Sequence, residues 1–145
     1  MDKHHYKVSL QWDEGRIGQM EADGLKDKIT VATPPEFDKG VPGIWSPEHL
    51  FTASVLSCFM TTFLAIADYS KLNFEDFSCK ADGIMEKIDG KFLMTEVILK
   101  AKLEIKEEDK KDRAKRILEK SEAACLISNS IKTEVKLESE ISIVS

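Results

Sequence analysis

Six stretches of the chain alternate between apolar and polar residues, the pattern of β-strands with one face toward a core and the other toward water. The predicted strands are residues 6–12, 17–21, 28–33, 74–88, 92–106 and 131–143. Asp13-Glu14-Gly15 reads as the turn of a first hairpin, and Asp89-Gly90 suits a tight turn in a second. The chain is therefore rich in hairpins.

Two other stretches have the pattern of helices. Ser46-Pro47-Glu48 is typical of a helix start, because serine caps, proline suits the first turn and glutamate adds favourable charge there. This helix is predicted to run to about Asp68. Residues 107–124 form a charged amphipathic helix whose buried side ends at Cys125. The order βββαββαβ predicts an α+β fold in a single domain over residues 1–145.

The first helix carries no charge from Leu50 to Ala67. A run of about 18 apolar residues is the usual threshold for a membrane span. Five hydroxyl residues interrupt this run, and amphipathic strands flank it, so a buried central helix is favoured over a span. A helix that is apolar all round must be covered on every side. A second subunit is the natural cover, because a chain of 145 residues has few other elements.

Charge and cysteine content narrow the function. With 21 basic and 26 acidic residues and a net charge of −5, the chain has no electrostatic footprint for nucleic acid. The N-terminus lacks the pattern of a secretory signal, so the expected location is the cytoplasm. Three cysteines there are more often catalytic, metal-binding or buried than disulfide-bonded. Their spacing lacks a Cys-x-x-Cys pair, which argues against a metal site, and no bound cofactor is expected.

Candidate chemistry centres on the cysteines. Taken alone, Cys58 and Cys125 are each more often small buried hydrophobes than nucleophiles, and Cys79 in an alternating strand favours plain packing. A reactive thiol needs a lowered pKa, and burial raises it, so a nearby cation must compensate. Arg16, at the tip of the first hairpin, is the candidate cation. Glu48 is a carboxylate that could hold such an arginine in place.

Two motifs carry a resemblance to a known family. The run from Ser46 to Cys58, Ser-Pro-Glu-His-Leu-Phe-Thr-Ala-Ser-Val-Leu-Ser-Cys, is followed later by Cys125-Leu-Ile-Ser-Asn129. Together they resemble the OsmC/Ohr family of osmotically inducible and organic hydroperoxide resistance proteins, over nearly the whole chain. Leu126 stands where many members have proline, and the hairpin reads Glu-Gly-Arg rather than Gly-Gly-Arg. The subfamily therefore stays open.

The resemblance implies an OsmC-like α+β fold, an intertwined homodimer whose two long central helices are wrapped by antiparallel sheets. It also implies a thiol peroxidase for organic hydroperoxides in which Cys58 attacks the peroxide and Cys125 resolves the sulfenic acid as a disulfide. An external dithiol, of the lipoyl type, then restores both thiols. Arg16 would stabilise the thiolate and orient the peroxide, with Glu48 as its anchor. Ten residues of helix put Glu48 roughly 15 Å along the axis from Cys58, so its help is expected across the dimer interface.

The sequence leaves more than one interpretation open for the substrate and for the function. Four apolar residues could line a site suited to alkyl or lipid hydroperoxides, and they could equally be core residues: Trp45, Phe51, Phe59 and Met60. The alternative to a peroxidase is an OsmC-like dimer that binds a small apolar ligand with little turnover. A structural dimer with inert thiols is the third hypothesis.

Overall fold

The computed structural model describes residues 2–145 and confirms the α+β class. The elements are β1 (Val8–Glu14), β2 (Ile17–Ala22), β3 (Ile29–Ala32), α1 (Pro47–Tyr69), β4 (Asp76–Ile88), β5 (Lys91–Ile105), α2 (Lys111–Ala123) and β6 (Glu134–Ile143). Short 3₁₀ turns, Glu108–Lys110 and Ser128–Ser130, precede and follow α2. The predicted order of strands and helices is confirmed. Contacts divide the chain into two compact units, the second beginning at Phe51, so the single domain over 1–145 stays a prediction.

The N-terminal unit is built on a three-stranded antiparallel sheet in the order β1-β2-β3. The turn between β1 and β2 contains Gly15 at φ 52°, a left-handed conformation that glycine adopts without steric cost. Alternation along β1 puts Val8, Leu10 and Trp12 on one face, and all three are exposed. The first strand therefore presents a row of apolar side chains to its surroundings.

The start of α1 is capped as the sequence predicts, by a side chain that is fully buried. The hydroxyl oxygen of Ser46 accepts the backbone N–H of His49 at 3.2 Å. In return, Nδ1 of His49 accepts the backbone N–H of Ser46 at 3.2 Å. This reciprocal pair has the logic of a capping box with histidine in place of glutamate. The helix therefore begins at a defined residue, which fixes the phase of every side chain along it.

The core of the C-terminal unit lies between α1 and the sheet formed by β4, β5 and β6. The helix buries every fourth side chain from Val55 to Ala67, and alternate residues of β5 pack against them. These core residues are Val55, Phe59, Phe63 and Ala67 on α1 and Val97, Leu99, Ala101, Leu103 and Ile105 on β5. On β4, a Cβ atom added to Gly83 would collide with the hydroxyl of Thr52. The absence of a side chain at Gly83 therefore lets α1 approach this strand closely.

The C-terminal sheet is mixed, which corrects the expectation of purely antiparallel sheets. Strands β4 and β5 are an antiparallel hairpin, but β6 pairs with β5 in parallel, with Leu99 opposite Leu137. The physical reason is the connection. Parallel neighbours require a crossover, and α2 returns the chain to the same end of the sheet from which β5 began. The buried face of α2 is the predicted one: Ala114, Ile117, Leu118 and Ser121.

Much of the apolar surface of α1 is not covered by its own chain. Beside the buried stripe, Met60 and Leu64 remain 42% and 41% exposed. By length and composition α1 could cross a membrane, a criterion that core helices of soluble proteins also meet. The prediction that a second subunit covers this helix is not tested by a single chain and stays a prediction.

Candidate active site

Cys58 lies in the middle of α1, one position before the buried Phe59. It is therefore at the edge of the core stripe, and its side chain is half-buried. Its sulfur lies 3.9 Å from the hydroxyl oxygen of Thr62, one helical turn further on. The helix thus holds the thiol at the border of the core, with a hydroxyl beside it.

Cys125 lies two residues beyond the end of α2, at the start of a tight loop. Its N–H group donates to the carbonyl of Glu122 at 3.2 Å, which fixes the loop to the last turn of the helix. Its side chain is completely buried, as the helical spacing from Ala114 onward predicts. Burial and the hydrogen bond to Glu122 therefore both hold Cys125 against the end of α2.

The structure brings these two thiols near enough for each to shift the pKa of the other. Burial alone would raise the pKa of Cys58. It is outweighed by four hydrogen bonds, so that the pKa lies below the ordinary thiol value. The donors are the N–H groups of Ile127 and Leu126, the thiol of Cys125 and the hydroxyl of Thr62.

The pKa of Cys125 is shifted in the opposite direction, above the ordinary thiol value. Burial raises its pKa, and the neighbouring Cys58 raises it further, although the backbone N–H group of Ser128 partly opposes this. The thiol of Cys58 therefore ionises at lower pH than that of Cys125, which keeps its proton. A thiolate next to a protonated thiol is the arrangement from which an oxidised sulfur can be captured as a disulfide.

The third cysteine behaves as a packing residue, as predicted from its position in the strand. Cys79 packs its half-buried side chain against the core from β4. Burial raises the pKa of Cys79 to about 11, although the N–H group of Lys100 lowers it slightly. Its sulfhydryl lies 3.6 Å from the carbonyl oxygen of Lys80. Nothing in this setting activates the thiol.

Arg16 and Glu48, the two other predicted site residues, belong to the N-terminal unit. Arg16 follows Gly15 in the β1–β2 turn, the hairpin tip predicted from the sequence, and its side chain is exposed. It lines a surface pocket of about 380 Å³ together with Glu14 and Lys39. Glu48 lies in the first turn of α1 with one carboxylate oxygen buried. The placement of these two side chains beside the thiols stays a prediction.

Residues 2–145 contain no cluster of three or more histidine, cysteine, aspartate or glutamate side chains that could hold a metal ion. The polar groups around the thiols are hydroxyls and backbone N–H groups, which are hydrogen-bond donors to an anion rather than metal ligands.

Sequence reasoning missed the groups that act on the thiols. Thr62 had a signal, because residues four apart on a helix are neighbours, and Cys58 and Thr62 have this spacing. Ser128 is three residues from Cys125 in a loop, where spacing alone predicts no contact. The N–H groups of Leu126 and Ile127 have no side-chain signal at all. The direction of a backbone N–H group depends on the folded conformation of the loop, so residue types alone do not predict it.

Comparison with known proteins gives a consistent result. Residues 40–140 match the family model described as OsmC-like protein. The uncharacterized protein YmaD of Bacillus subtilis is 26% identical, over 99% of this chain and 97% of its own length. An OsmC-like protein of unknown function from Vibrio cholerae superimposes with a TM-score of 0.84 at 24% identity, over 95% of this chain and 100% of the other. An organic hydroperoxide resistance protein from Legionella pneumophila superimposes with a TM-score of 0.78 at 24% identity, over 99% and 100%. At this identity the structural likeness shows the fold.

Proposed function

Because the chain belongs to the OsmC-like protein family, we propose that it is a thiol peroxidase that reduces organic hydroperoxides with Cys58 and Cys125. The observation that carries the proposal is the contact between these two thiols, one with a lowered and the other with a raised pKa. The description of the Legionella pneumophila relative as an organic hydroperoxide resistance protein supports the choice of substrate. The family resemblance of the two cysteine motifs is confirmed by the match over residues 40–140.

The oxidative half of the proposed cycle uses the unequal ionisation of the two thiols. The Cys58 thiolate attacks the terminal oxygen of the hydroperoxide, the O–O bond breaks, and the alkoxide leaves as an alcohol after taking a proton. Cys58 becomes a sulfenic acid, oxidised by two electrons. The thiol of Cys125 then attacks the Cys58 sulfur, a disulfide forms, and the sulfenic oxygen leaves as water. No large movement is required, because the two thiols already lie close enough to shift each other's pKa.

The reductive half needs a dithiol from outside the protein. One thiolate of the dithiol attacks the disulfide and forms a mixed disulfide, and its second thiol closes to release the oxidised reductant. Two electrons and two protons return to Cys58 and Cys125. We propose a lipoyl-type dithiol for this role, with Arg16 as the cation that stabilises the thiolate and orients the peroxide. Glu48 would hold that arginine.

The proposal includes a homodimer in the cytoplasm. Two apolar surfaces support it: the exposed side of α1, at Met60 and Leu64, and the apolar face of β1, at Leu10 and Trp12. Each surface groups large hydrophobic side chains, and monomeric proteins rarely expose such groups. Sedimentation of the purified protein tests this part. A species of twice the chain mass is expected, and a monomer at all concentrations would contradict it.

The function is tested by peroxide consumption with dihydrolipoamide as electron donor, comparing cumene hydroperoxide with hydrogen peroxide. The organic substrate is expected to react faster by more than about tenfold, the equivalent of burying roughly two methylene groups. The control omits the dithiol, and consumption then stops once the thiols are oxidised. If peroxide is not consumed while the protein binds a small apolar ligand with both thiols reduced, the chain is a binding protein instead.

A further inference from the structure

The end of α2 is joined to the loop that follows it by hydrogen bonds to backbone carbonyls. The last carbonyl groups of a helix have no partner within the helix and need one from outside it. The carbonyl of Glu122 accepts the N–H group of Cys125 at 3.2 Å. The carbonyl of Ala123, the last residue of α2, accepts the side-chain amide of Asn129 at 3.0 Å. Asn129 therefore caps the helix from the far end of the loop.

Asn129 makes a second hydrogen bond, through its backbone. Its N–H group donates to the carbonyl of Cys125 at 3.0 Å. The two carbonyls bonded by Asn129 lie on either side of the Cα atom of Cys125, because that of Ala123 precedes this atom and that of Cys125 follows it. Asn129 itself is exposed, so it acts on the loop through these bonds rather than by packing.

These hydrogen bonds fix the direction in which the side chain of Cys125 leaves the backbone. Peptide groups are planar, so the orientations of the two peptide groups that flank a residue set its backbone angles. At Cys125 the preceding peptide group is held through its N–H and the following one through its carbonyl. A disulfide forms only when the two Cβ atoms are about 4 Å apart and suitably directed. The backbone of Cys125 therefore limits which partner its thiol can reach.

We propose that Asn129 is a positioning residue for Cys125: by bonding the chain on both sides of that residue, it preorganises the thiol for disulfide formation with Cys58. A thiol that is already held in place loses less conformational freedom when the disulfide forms, so the disulfide is more stable. This inference deepens the proposed function and rests on it, since that function assigns Cys58 and Cys125 as the reacting pair. In a peroxidase, such positioning shortens the lifetime of the Cys58 sulfenic acid and limits its further oxidation.

Ser130, the next residue of the loop, supplies a matched control. Its hydroxyl donates to the carbonyl of Leu126 at 2.8 Å, so it also joins a side chain to a backbone carbonyl within the loop. Like Asn129, Ser130 is exposed. Its bond does not include either peptide group that flanks Cys125. Removing it weakens the loop without releasing the backbone of the cysteine.

The test is the stability of the Cys58–Cys125 disulfide in mixtures of reduced and oxidised glutathione, with the full-length protein. The Cys58 thiolate attacks oxidised glutathione and releases one glutathione, and Cys125 then displaces the second. The two cysteines lose two electrons and two protons, and two molecules of reduced glutathione form. Mass spectrometry of the linked peptides gives the fraction of disulfide at each glutathione ratio, and hence the equilibrium constant.

Asn129→Ala removes the bond to Ala123. The equilibrium constant for disulfide formation is expected to fall about fivefold, the factor that one neutral hydrogen bond is worth. Asn129→Asp keeps the size of the side chain but has no N–H donor at neutral pH, and the constant is expected to fall at least as far. Ser130→Ala is expected to keep the constant within about twofold, as most surface substitutions do.

Urea denaturation of the reduced variants separates positioning from stability, because Asn129→Ala and Ser130→Ala should lose a similar, small part of the free energy of unfolding. An unchanged equilibrium constant in either Asn129 variant overturns the proposal. An equal fall in Ser130→Ala also overturns it, since any weakening of the loop would then have the same effect. So does a protein that forms no Cys58–Cys125 disulfide at any glutathione ratio.

The measurement uses no peroxide, so its outcome is separate from that of the peroxidase assay. A lowered constant in the Asn129 variants of a protein that consumes no peroxide would support the positioning role and reject the peroxidase. Peroxide turnover with unchanged constants would reject the positioning role and leave the peroxidase standing.

Discussion

Two half-buried cysteines of the C-terminal unit, Cys58 on α1 and Cys79 on β4, have opposite chemistry. Burial raises the pKa of both thiols, and at Cys79 it takes the pKa to about 11, with one backbone donor to oppose it. At Cys58 four donors outweigh burial and lower the pKa. The difference is therefore the number of hydrogen-bond donors that converge on the sulfur. Exposure or sequence position alone would not separate the two.

The largest effect expected from this comparison is on peroxide consumption. Cys58→Ser removes the proposed nucleophile and should lower kcat/KM for cumene hydroperoxide by at least about a thousandfold, the scale on which removing a nucleophile acts. Cys79→Ser is the matched control. It replaces a packing residue and should leave the rate within about twofold, measured with dihydrolipoamide as donor. Equal losses in both variants would mean that the comparison misidentifies the reactive thiol.

The next largest effect is the separation of the two thiols in pH. The pKa of Cys58 lies below the ordinary value of 9.0, and that of Cys79 lies at about 11, so their alkylation midpoints should differ by at least about two pH units. As the pH falls from 11 toward neutrality, Cys79 becomes protonated first and loses reactivity, while Cys58 keeps a thiolate fraction. Iodoacetamide labelling of each peptide measures this. If alkylation of Cys58 and of Cys79 had the same pH dependence, the predicted difference between their pKa values would be wrong.

The helix that carries Cys58 and the strand that carries Cys79 approach each other at Gly83, and a substitution there tests this contact. Gly83→Ala places a methyl group against the hydroxyl of Thr52 and 3.1 Å from its Cβ atom. Overpacking of this kind costs about 1–3 kcal/mol in the free energy of unfolding, measured by urea denaturation.

The control for this variant is the double mutant with Thr52→Ala, which removes the hydroxyl and a methyl group from the contact. It should recover most of the loss caused by Gly83→Ala, because the two residues touch. If the double mutant is destabilised by the sum of the two single effects, the close approach of α1 to β4 is not the cause.

The smallest effect concerns a single donor at Cys58. Thr62→Val removes the hydroxyl 3.9 Å from the sulfur and should raise the alkylation midpoint by roughly half a pH unit, since a long contact to sulfur is weaker than an ordinary hydrogen bond. Thr61→Val is the control, because that hydroxyl donates to the carbonyl oxygen of Cys58 at 3.1 Å and not to its sulfur. A larger shift in the control than in Thr62→Val would place the effect in the helix rather than at the thiol.

Much of the fold could be predicted because its signals are local. Alternation predicts the strands to within a few residues, and Ser46 with Pro47 marks the start of α1. The parallel pairing of β6 could not be predicted by the same means, because alternation is identical in parallel and antiparallel strands. It depends on the path of the chain through α2.

The candidate site was predictable in part, for a similar reason. The motifs point to Cys58 and Cys125, and the structure brings the two thiols near each other. Their unequal pKa values could not be predicted, because the donors are mostly backbone N–H groups and a hydroxyl at another position of the helix. The cation sought from the sequence, Arg16, is not needed to lower the pKa of Cys58 below the ordinary value, since hydrogen bonds from the same unit already do so. Its proposed role in peroxide orientation stays separate.

The most direct test of the account is to treat the reduced protein with one equivalent of cumene hydroperoxide and map its disulfides by mass spectrometry. The account predicts a single intramolecular disulfide between Cys58 and Cys125, with Cys79 still alkylatable under denaturing conditions. A disulfide that includes Cys79, or peroxide consumption with Cys58 and Cys125 both remaining as thiols, would contradict it.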